Sequence, residues 1–188
     1  MVLGTDLTGK MAVVTGAGGI LCGMFARTLA RAGAAVALLD INLEAAEETA
    51  RDIREAGGTA AAYGVDVMDK EMLESVHARV LARLGPCDIL INGAGGNQAR
   101  ANTSKEYFEM GDIEADVATF FDMEYKGVQG VLDLNFLGGF LTCQVFAKDM
   151  VGRVGMAISS TSPLPARPGP LPRIPCIQRG RGRAQQFH

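Results

Sequence analysis

The chain has 188 residues, 48% of them hydrophobic, and a formal net charge of −3 at pH 7. This length favours one domain with a sizeable core, and no apolar run approaches the roughly 20 residues of a membrane helix, so we expect no membrane span. The first ten residues lack the pattern of a secretory signal, and the four cysteines form no CxxC pair. We therefore expect a cytoplasmic protein with reduced thiols and no metal site.

The division of charge along the chain predicts a boundary near its C-terminal end. Residues 1–150 carry 12 basic and 21 acidic side chains, whereas residues 151–188 carry six arginines, no acid and six of the seven prolines. Proline removes a backbone donor and fixes φ, which disfavours both helices and central strands. The composition predicts an ordered domain over residues 1–160 and a disordered Pro/Arg-rich tail over residues 161–188.

Ahead of this tail, short apolar strands alternate with helical segments. Strands are predicted over residues 10–15, 35–40, 59–66, 87–92 and 154–160. Helices are predicted over residues 19–32, 43–56, 70–84 and 126–150. The last helix is apolar enough for burial on a sheet or against a second subunit, and the acidic segment 96–125 before it is predicted to hold a short helix over 116–123. This alternation predicts an α/β fold with a doubly wound parallel sheet.

A glycine-rich turn joins the first strand to the first helix. Thr15 and Gly16 end the strand, and Gly18, Gly19 and Ile20 lead into the helix. Glycine accepts the positive φ of a tight turn and carries no Cβ to block a ligand, while a helix N-terminus offers free N–H groups and partial positive charge. These five residues are therefore predicted to bind the pyrophosphate of a dinucleotide.

An acidic side chain ends the second strand at a suitable distance from this turn. Asp40 can accept hydrogen bonds from both hydroxyls of an adenosine ribose and would repel a 2′-phosphate, which favours NAD over NADP as the cofactor. Taken without the glycine turn, Asp40 would be explained equally well as a solvated aspartate at a strand end.

Two further strand ends are predicted to face the same crevice. Asp66 and Val67 end the third strand, where they contact the adenine edge or Asp66 caps the following helix. Asn92, Ala94 and Gly95 end the fourth strand, and their small size leaves room for a ligand at the carboxyl end of the sheet. A plain turn would have a similar composition.

As a set, these motifs resemble the short-chain dehydrogenase/reductase family. The Thr15–Gly16 strand end, Asp40 and the stretches 66–67, 92–95 and 134–138 occur in the family's order and spacing. The segment 96–125 and residues 144–150 are most similar to its D-mannonate oxidoreductase, or fructuronate reductase-like, branch. The resemblance implies a Rossmann-type fold, an NAD cofactor, a sugar acid or polyol substrate and a family-like homo-oligomer, with no nucleic acid or membrane partner.

The resemblance also implies a catalytic set of which only part is present. Asn135 matches the asparagine that supports a proton relay, and Ser160 matches the serine that polarises the substrate carbonyl. The family's acid/base tyrosine and the lysine four residues after it have no counterpart, because no tyrosine follows Tyr125 and no lysine follows Lys148. We therefore expect a sheet that is incomplete at the C-terminus and a chain that binds NAD with negligible turnover.

The glycine turn departs from the family pattern, since Ile20 and Cys22 occupy the places of two family glycines. The arginine-rich stretch 179–183 resembles a nucleic-acid-binding segment but lacks aromatic partners, and a frame-disrupted gene explains the tail better. Two other functions compete with the oxidoreductase. One is a non-catalytic NAD-binding module, and the other is a methyltransferase, against which the stretch 92–95 and Asn135 argue.

Overall fold

The computed structural model describes residues 6–153 and the backbone of residues 157–160. Within these residues five parallel strands form one sheet in the order β3-β2-β1-β4-β5. The strands are β1 (Met11–Thr15), β2 (Ala35–Asp40), β3 (Thr59–Gly64), β4 (Ile89–Asn92) and β5 (Ala157–Ser160). The predicted doubly wound α/β fold is therefore confirmed. Chain order reverses between β1 and β4, and ligands of such sheets bind beside this reversal at the carboxyl ends of the strands.

Five α-helices accompany the sheet in the described part of the chain. They are α1 (Ile20–Arg31), α2 (Leu43–Glu55), α3 (Lys70–Leu84), α4 (Tyr125–Leu132) and α5 (Gly139–Phe146). Asn42 caps α2 by accepting a hydrogen bond from the Ala45 N–H, and Asp69 caps α3 in the same way from the Met72 N–H. Such caps satisfy backbone donors that a helix leaves free, so they fix where α2 and α3 begin.

Alternate residues of each strand serve two separate hydrophobic cores. On one face Ala12 and Val14 pack with residues of α1 and α2, whereas Met11 and Val13 on the other face pack with residues of α3 and α5. All five residues of β1 are buried, as expected for a central strand that helices cover on both faces. This two-sided burial holds the strand ends rigidly, and the strand ends carry the predicted site residues.

The segment between β4 and α4 is ordered by polar contacts and not by the helix predicted over 116–123. It contains three short 3₁₀ turns at Ala99–Ala101, Met110–Ile113 and Phe120–Asp122. Asp112 accepts a hydrogen bond from the Glu109 N–H and pairs with Lys105. The prediction failed because Thr119 and Asp122 cap a short 3₁₀ turn, and local side-chain capping of this kind competes with helix formation.

Among the described residues one helical run, Tyr125–Met150, has the length and composition to cross a membrane, a test that core helices also pass. A π-helical turn at Asp133–Gly138 interrupts it between α4 and α5, and a 3₁₀ turn ends it at Ala147–Met150. Val145 and Phe146 are buried in the core beside α3, whereas Phe136 and Phe140 are exposed. The predicted burial on the sheet therefore holds for the C-terminal half of this run.

The third and fourth strands are shorter than predicted, because β3 ends at Gly64 and β4 begins at Ile89. The fifth strand is confirmed over Ala157–Ser160. Residues 154–156 and the tail 161–188 lie outside the described residues, so the domain boundary at 160 and the disorder of the tail stay predictions.

Candidate functional site

A cavity of about 880 Å³ opens at the carboxyl ends of the strands, where the chain order reverses. Nine of the eleven residues predicted to bind a cofactor line it: Gly16, Gly18, Gly19, Ile20, Asp40, Asp66, Val67, Ala94 and Gly95. The fold thus brings together in one cavity residues that are separated by up to 79 positions in the sequence. Within the described residues no cluster of three or more His, Cys, Asp or Glu could hold a metal ion.

The glycine turn is packed too closely for side chains at two positions. Gly16 has a φ of +68°, and a Cβ there would lie 2.8 Å from the carbonyl oxygen of Gly93. A Cβ on Gly18 would lie 2.8 Å from the Cβ of Ala45 in α2. The turn therefore rests directly on the end of β4 and on α2, with bare backbone lining the cavity.

The N-terminus of α1 makes this end of the cavity suitable for an anion. Gly19 occupies the N-cap position without a side chain to satisfy the first N–H groups, and no acidic residue lies in the first turn. These free donors and the helix dipole favour a bound pyrophosphate. Ile20 is 95% exposed at the mouth of the cavity and leaves the backbone of the turn accessible.

Asp40 lies at the end of β2 and is held in place by two backbone donors. Its Oδ2 accepts a hydrogen bond from the Gly18 N–H, and its Oδ1 accepts one from the Asn42 N–H, both at 2.9 Å. A carboxylate has about four acceptor sites, so lone pairs remain on both oxygens for the two hydroxyls of a ribose. Asp40 can therefore bind a ribose and shape the glycine turn at the same time.

Two residues predicted to bind the cofactor lie beneath the cavity instead of lining it. The Thr15 side chain is buried, and its Oγ1 accepts hydrogen bonds from the N–H groups of Gly93 and Ala94, both at 3.0 Å. Asn92 is also buried, and its Nδ2 lies 3.2 Å from the Sγ of Cys143 in α5. Thr15 therefore fixes the loop after β4 and Asn92 links the end of β4 to α5, roles that the strand-end pattern could not separate from direct ligand contact.

Asp66 and Val67 line the cavity from the turn that follows β3. Asp66 does not cap α3, because Asp69 holds that position, and its Oδ1 accepts a hydrogen bond from the Met68 N–H. Of the two interpretations of Asp66, the cap of the following helix is therefore wrong, and adenine contact stays a prediction.

Asn135 connects the π-helical turn to the loop after β4. Its Nδ2 donates to the carbonyl oxygens of Val131 and Gly96 at 2.8 and 2.7 Å, and its Oδ1 accepts from the Gly96 N–H at 3.2 Å. The backbone of Ser160 lies opposite Asn92 in the register of β4 and β5. The two predicted catalytic residues are thus both tied to the end of β4, and their chemical roles stay predictions.

Several residues that line the cavity were missed from the sequence. Ile41 and Asn42 follow Asp40, Val131 and Leu134 belong to the helical run, and Asn97 lies in the acidic segment. The positions next to Asp40 could have been inferred from their place after the strand end. Asn97, Val131 and Leu134 reach the cavity only through tertiary packing, which no local pattern encodes.

The fold and the cavity together define a dinucleotide-binding α/β domain of the Rossmann type. Residues 10–170 match the family described as short chain dehydrogenase, and the chain belongs to this family. An uncharacterized oxidoreductase from Haemophilus influenzae is 41% identical over 182 residues, and the uncharacterized oxidoreductase UxuB from Bacillus subtilis is 39% identical over 183 residues. Each alignment covers 97% of this chain, and the chain spans 63% and 64% of the lengths of these relatives.

Among solved structures, one from Haemophilus influenza, provisionally named a D-mannonate oxidoreductase, has NAD bound. It superposes with a TM-score of 0.79 at 44% identity, covering 83% of this chain and 55% of that one. The family identified from the sequence is therefore confirmed, and the bound NAD of this relative agrees with the predicted cofactor.

Proposed function

We propose that this chain forms the NAD(H)-binding part of an oxidoreductase that acts on a CH–OH group of a sugar acid or polyol of the D-mannonate type. The observation that carries the proposal is the meeting of Asp40, the glycine turn and the N-terminus of α1 in one cavity. Asp40 complements the hydroxyls of a ribose, and the glycine turn lets a dinucleotide approach the backbone closely. The N-terminus of α1 complements the negative charge of the pyrophosphate.

In this proposal each part of the cavity binds a different part of the cofactor. Asp40 accepts from the ribose hydroxyls, the free N–H groups at the start of α1 hold the pyrophosphate, and Asp66 and Val67 contact the adenine. The small residues Ala94 and Gly95 leave space for the nicotinamide end, and bound NAD supplies a hydride acceptor there. Asn135 keeps the loop beside that space in position, and Ser160 polarises the substrate oxygen.

The sugar-acid substrate, the cytoplasmic location and a homo-oligomeric state belong to the same proposal. The similarity to a D-mannonate oxidoreductase-like relative supports the substrate. The exposed apolar residues of the helical run 125–150 support the homo-oligomeric state. This support concerns the family, because the chain spans less than two thirds of the relatives' lengths.

The second candidate function is binding of NAD(H) without turnover. It is favoured by the sequence, in which no tyrosine followed four residues later by a lysine is present. A general acid/base contributes typically 10²–10⁴-fold to the rate, so a chain without one is expected to turn over at a negligible rate. Asn135 and Ser160 can position a carbonyl but neither exchanges a proton readily at neutral pH.

An experiment on the purified 188-residue chain tests both candidates. NADH and S-adenosylmethionine are titrated separately by calorimetry, and NADH oxidation is then followed with D-fructuronate at saturating NADH. We expect NADH to bind, S-adenosylmethionine not to bind, and no turnover above the rate without protein. Steady turnover would favour the enzyme over the binding module, whereas tighter binding of S-adenosylmethionine would overturn the dinucleotide assignment.

A further inference from the structure

The acidic segment after β4 brings one asparagine, Asn97, to the cavity, and a second, Asn102, contacts Asn97 without lining the cavity. Asn97 lines the cavity directly after Gly96, whose N–H and carbonyl groups are both bonded to Asn135. The Nδ2 of Asn97 donates to the Oδ1 of Asn102 at 2.6 Å, and the Asn97 Oδ1 accepts from the Gln98 N–H at 2.9 Å. We call Asn97 and Asn102 the amide pair.

The amide pair is held in place by close packing against α4. A Cβ on Gly127 would lie 2.8 Å from the backbone carbon of Arg100, and a Cβ on Gly130 would overlap the side chain of Gln98. The Glu124 N–H also donates to the carbonyl oxygen of Arg100 at 3.0 Å. Residues 98–101 therefore lie directly on α4, and this contact fixes the position of the two asparagines on either side of them.

The hydrogen bonds within the pair leave donors free. Each Nδ2 group carries two hydrogens, and within the described residues only one of these four is used, in the bond from Asn97 to Asn102. Both side chains are exposed and uncharged. Neutral amide donors suit hydroxyl oxygens, which also donate in return, whereas a carboxylate or phosphate is bound more strongly by arginine.

We propose that the amide pair binds substrate hydroxyl groups next to the reacting carbon, and so selects a polyhydroxylated substrate over an alkyl alcohol or acid. The inference rests on the proposed function, since it places the substrate at the Gly95–Gly96 end of the same cavity. It gives the acidic segment a role in selecting the substrate, and the binding of the cofactor alone does not explain such a role.

The test measures ligand binding to the full chain saturated with NADH, because binding does not require turnover. Calorimetry compares D-mannonate, D-mannitol and hexanoate, which separate the contributions of hydroxyl groups and charge. We expect D-mannonate and D-mannitol to bind and hexanoate not to bind. Binding of hexanoate as tight as that of D-mannonate, or binding of neither hydroxylated ligand to the NADH complex, would overturn the assignment.

Three variants locate the contact. Asn97→Ala and Asn102→Ala are expected to weaken both hydroxylated ligands about three- to tenfold, the loss of one neutral hydrogen bond. Asn102→Asp keeps the acceptor for Asn97 but places a negative charge there, so it should weaken D-mannonate more than D-mannitol. The exposed amide Gln144 lies in α5, and Gln144→Ala is the matched control that should change neither.

NADH affinity measured on each variant separates this inference from the proposed function. Unchanged NADH affinity shows that the variant is folded, and unchanged ligand affinity in such a variant would overturn the role of the amide pair alone. Failure of the unaltered chain to bind NADH would instead overturn the proposed function, and this inference with it.

Discussion

The carboxylate of Asp40 accepts a 2.9 Å hydrogen bond from the backbone N–H of Gly18. The residue proposed to bind the adenosine ribose is therefore also a structural support of the turn that would bind the pyrophosphate. Two functions that are usually discussed separately, cofactor selectivity and phosphate binding, depend here on one side chain. Substitution of Asp40 should consequently affect both.

Replacing Asp40 by alanine should weaken NADH binding by roughly tenfold or more, because a ribose acceptor and the support of the Gly18 and Asn42 N–H groups are lost together. Asp40→Asn keeps one acceptor oxygen and should lose less affinity. Fluorescence titration of NADH with each variant measures the effect. If Asp40→Ala bound NADH as tightly as the unaltered chain, the ribose would lie elsewhere.

Alanine at Gly16 should destabilise the fold by about 2 kcal/mol or more, because its positive φ is unfavourable for alanine and the added Cβ meets the Gly93 carbonyl. Gly18→Ala should mainly impair NADH binding, since the turn must move away from Ala45. Thermal unfolding and NADH titration measure the two effects. Gly111→Ala is the matched control, because a Cβ there meets no atom within 4 Å.

The acidic segment should loosen at low pH before the sheet does. The hydrogen bond from Lys105 holds the pKa of Asp112 below its ordinary value of 3.8. A carboxyl with a lowered pKa stabilises the folded state fully above its unfolded pKa, and this contribution is lost as the pH falls through the lower folded pKa. Hydrogen-exchange protection of the Glu109 amide, which Asp112 binds, should therefore fall below about pH 4. Asp112→Asn should remove this pH dependence.

Cys87 should resist alkylation in the folded chain. Burial, together with the nearby carboxylates of Asp149 and Asp88, raises the pKa of its thiol to about 12. Since the thiolate is the reactive form, iodoacetamide at pH 8 should label Cys87 only after unfolding. Mass spectrometry of peptides from native and denatured chains measures this. Rapid native labelling of Cys87 would show that the start of β4 opens readily.

The sheet and the cofactor end of the cavity could be predicted from the sequence, because each depends on local patterns. The apolar strand at 11–15, its glycine turn and Asp40 after the next strand carry their own signals. Parallel pairing then places these strand ends side by side, which is why nine predicted residues meet in one cavity.

Other features depend on contacts between distant residues and could not be read from a local pattern. The same strand-end position that predicts ligand contact for Thr15 serves to hold the Gly93 and Ala94 N–H groups. The π-helical turn around Asn135 arises where its side chain bonds both Val131 and Gly96, 39 residues away. Such roles emerge only when the loop after β4 is packed against the helical run.

Equilibrium binding of NADH and NADPH to the same purified chain tests the central claim most directly. The account predicts that NADH binds at least tenfold more tightly, because the carboxylate of Asp40, already fixed by Gly18 and Asn42, would face the 2′-phosphate of NADPH. It also predicts that Asp40→Asn narrows this difference. Equal or tighter binding of NADPH by the unaltered chain would contradict the account.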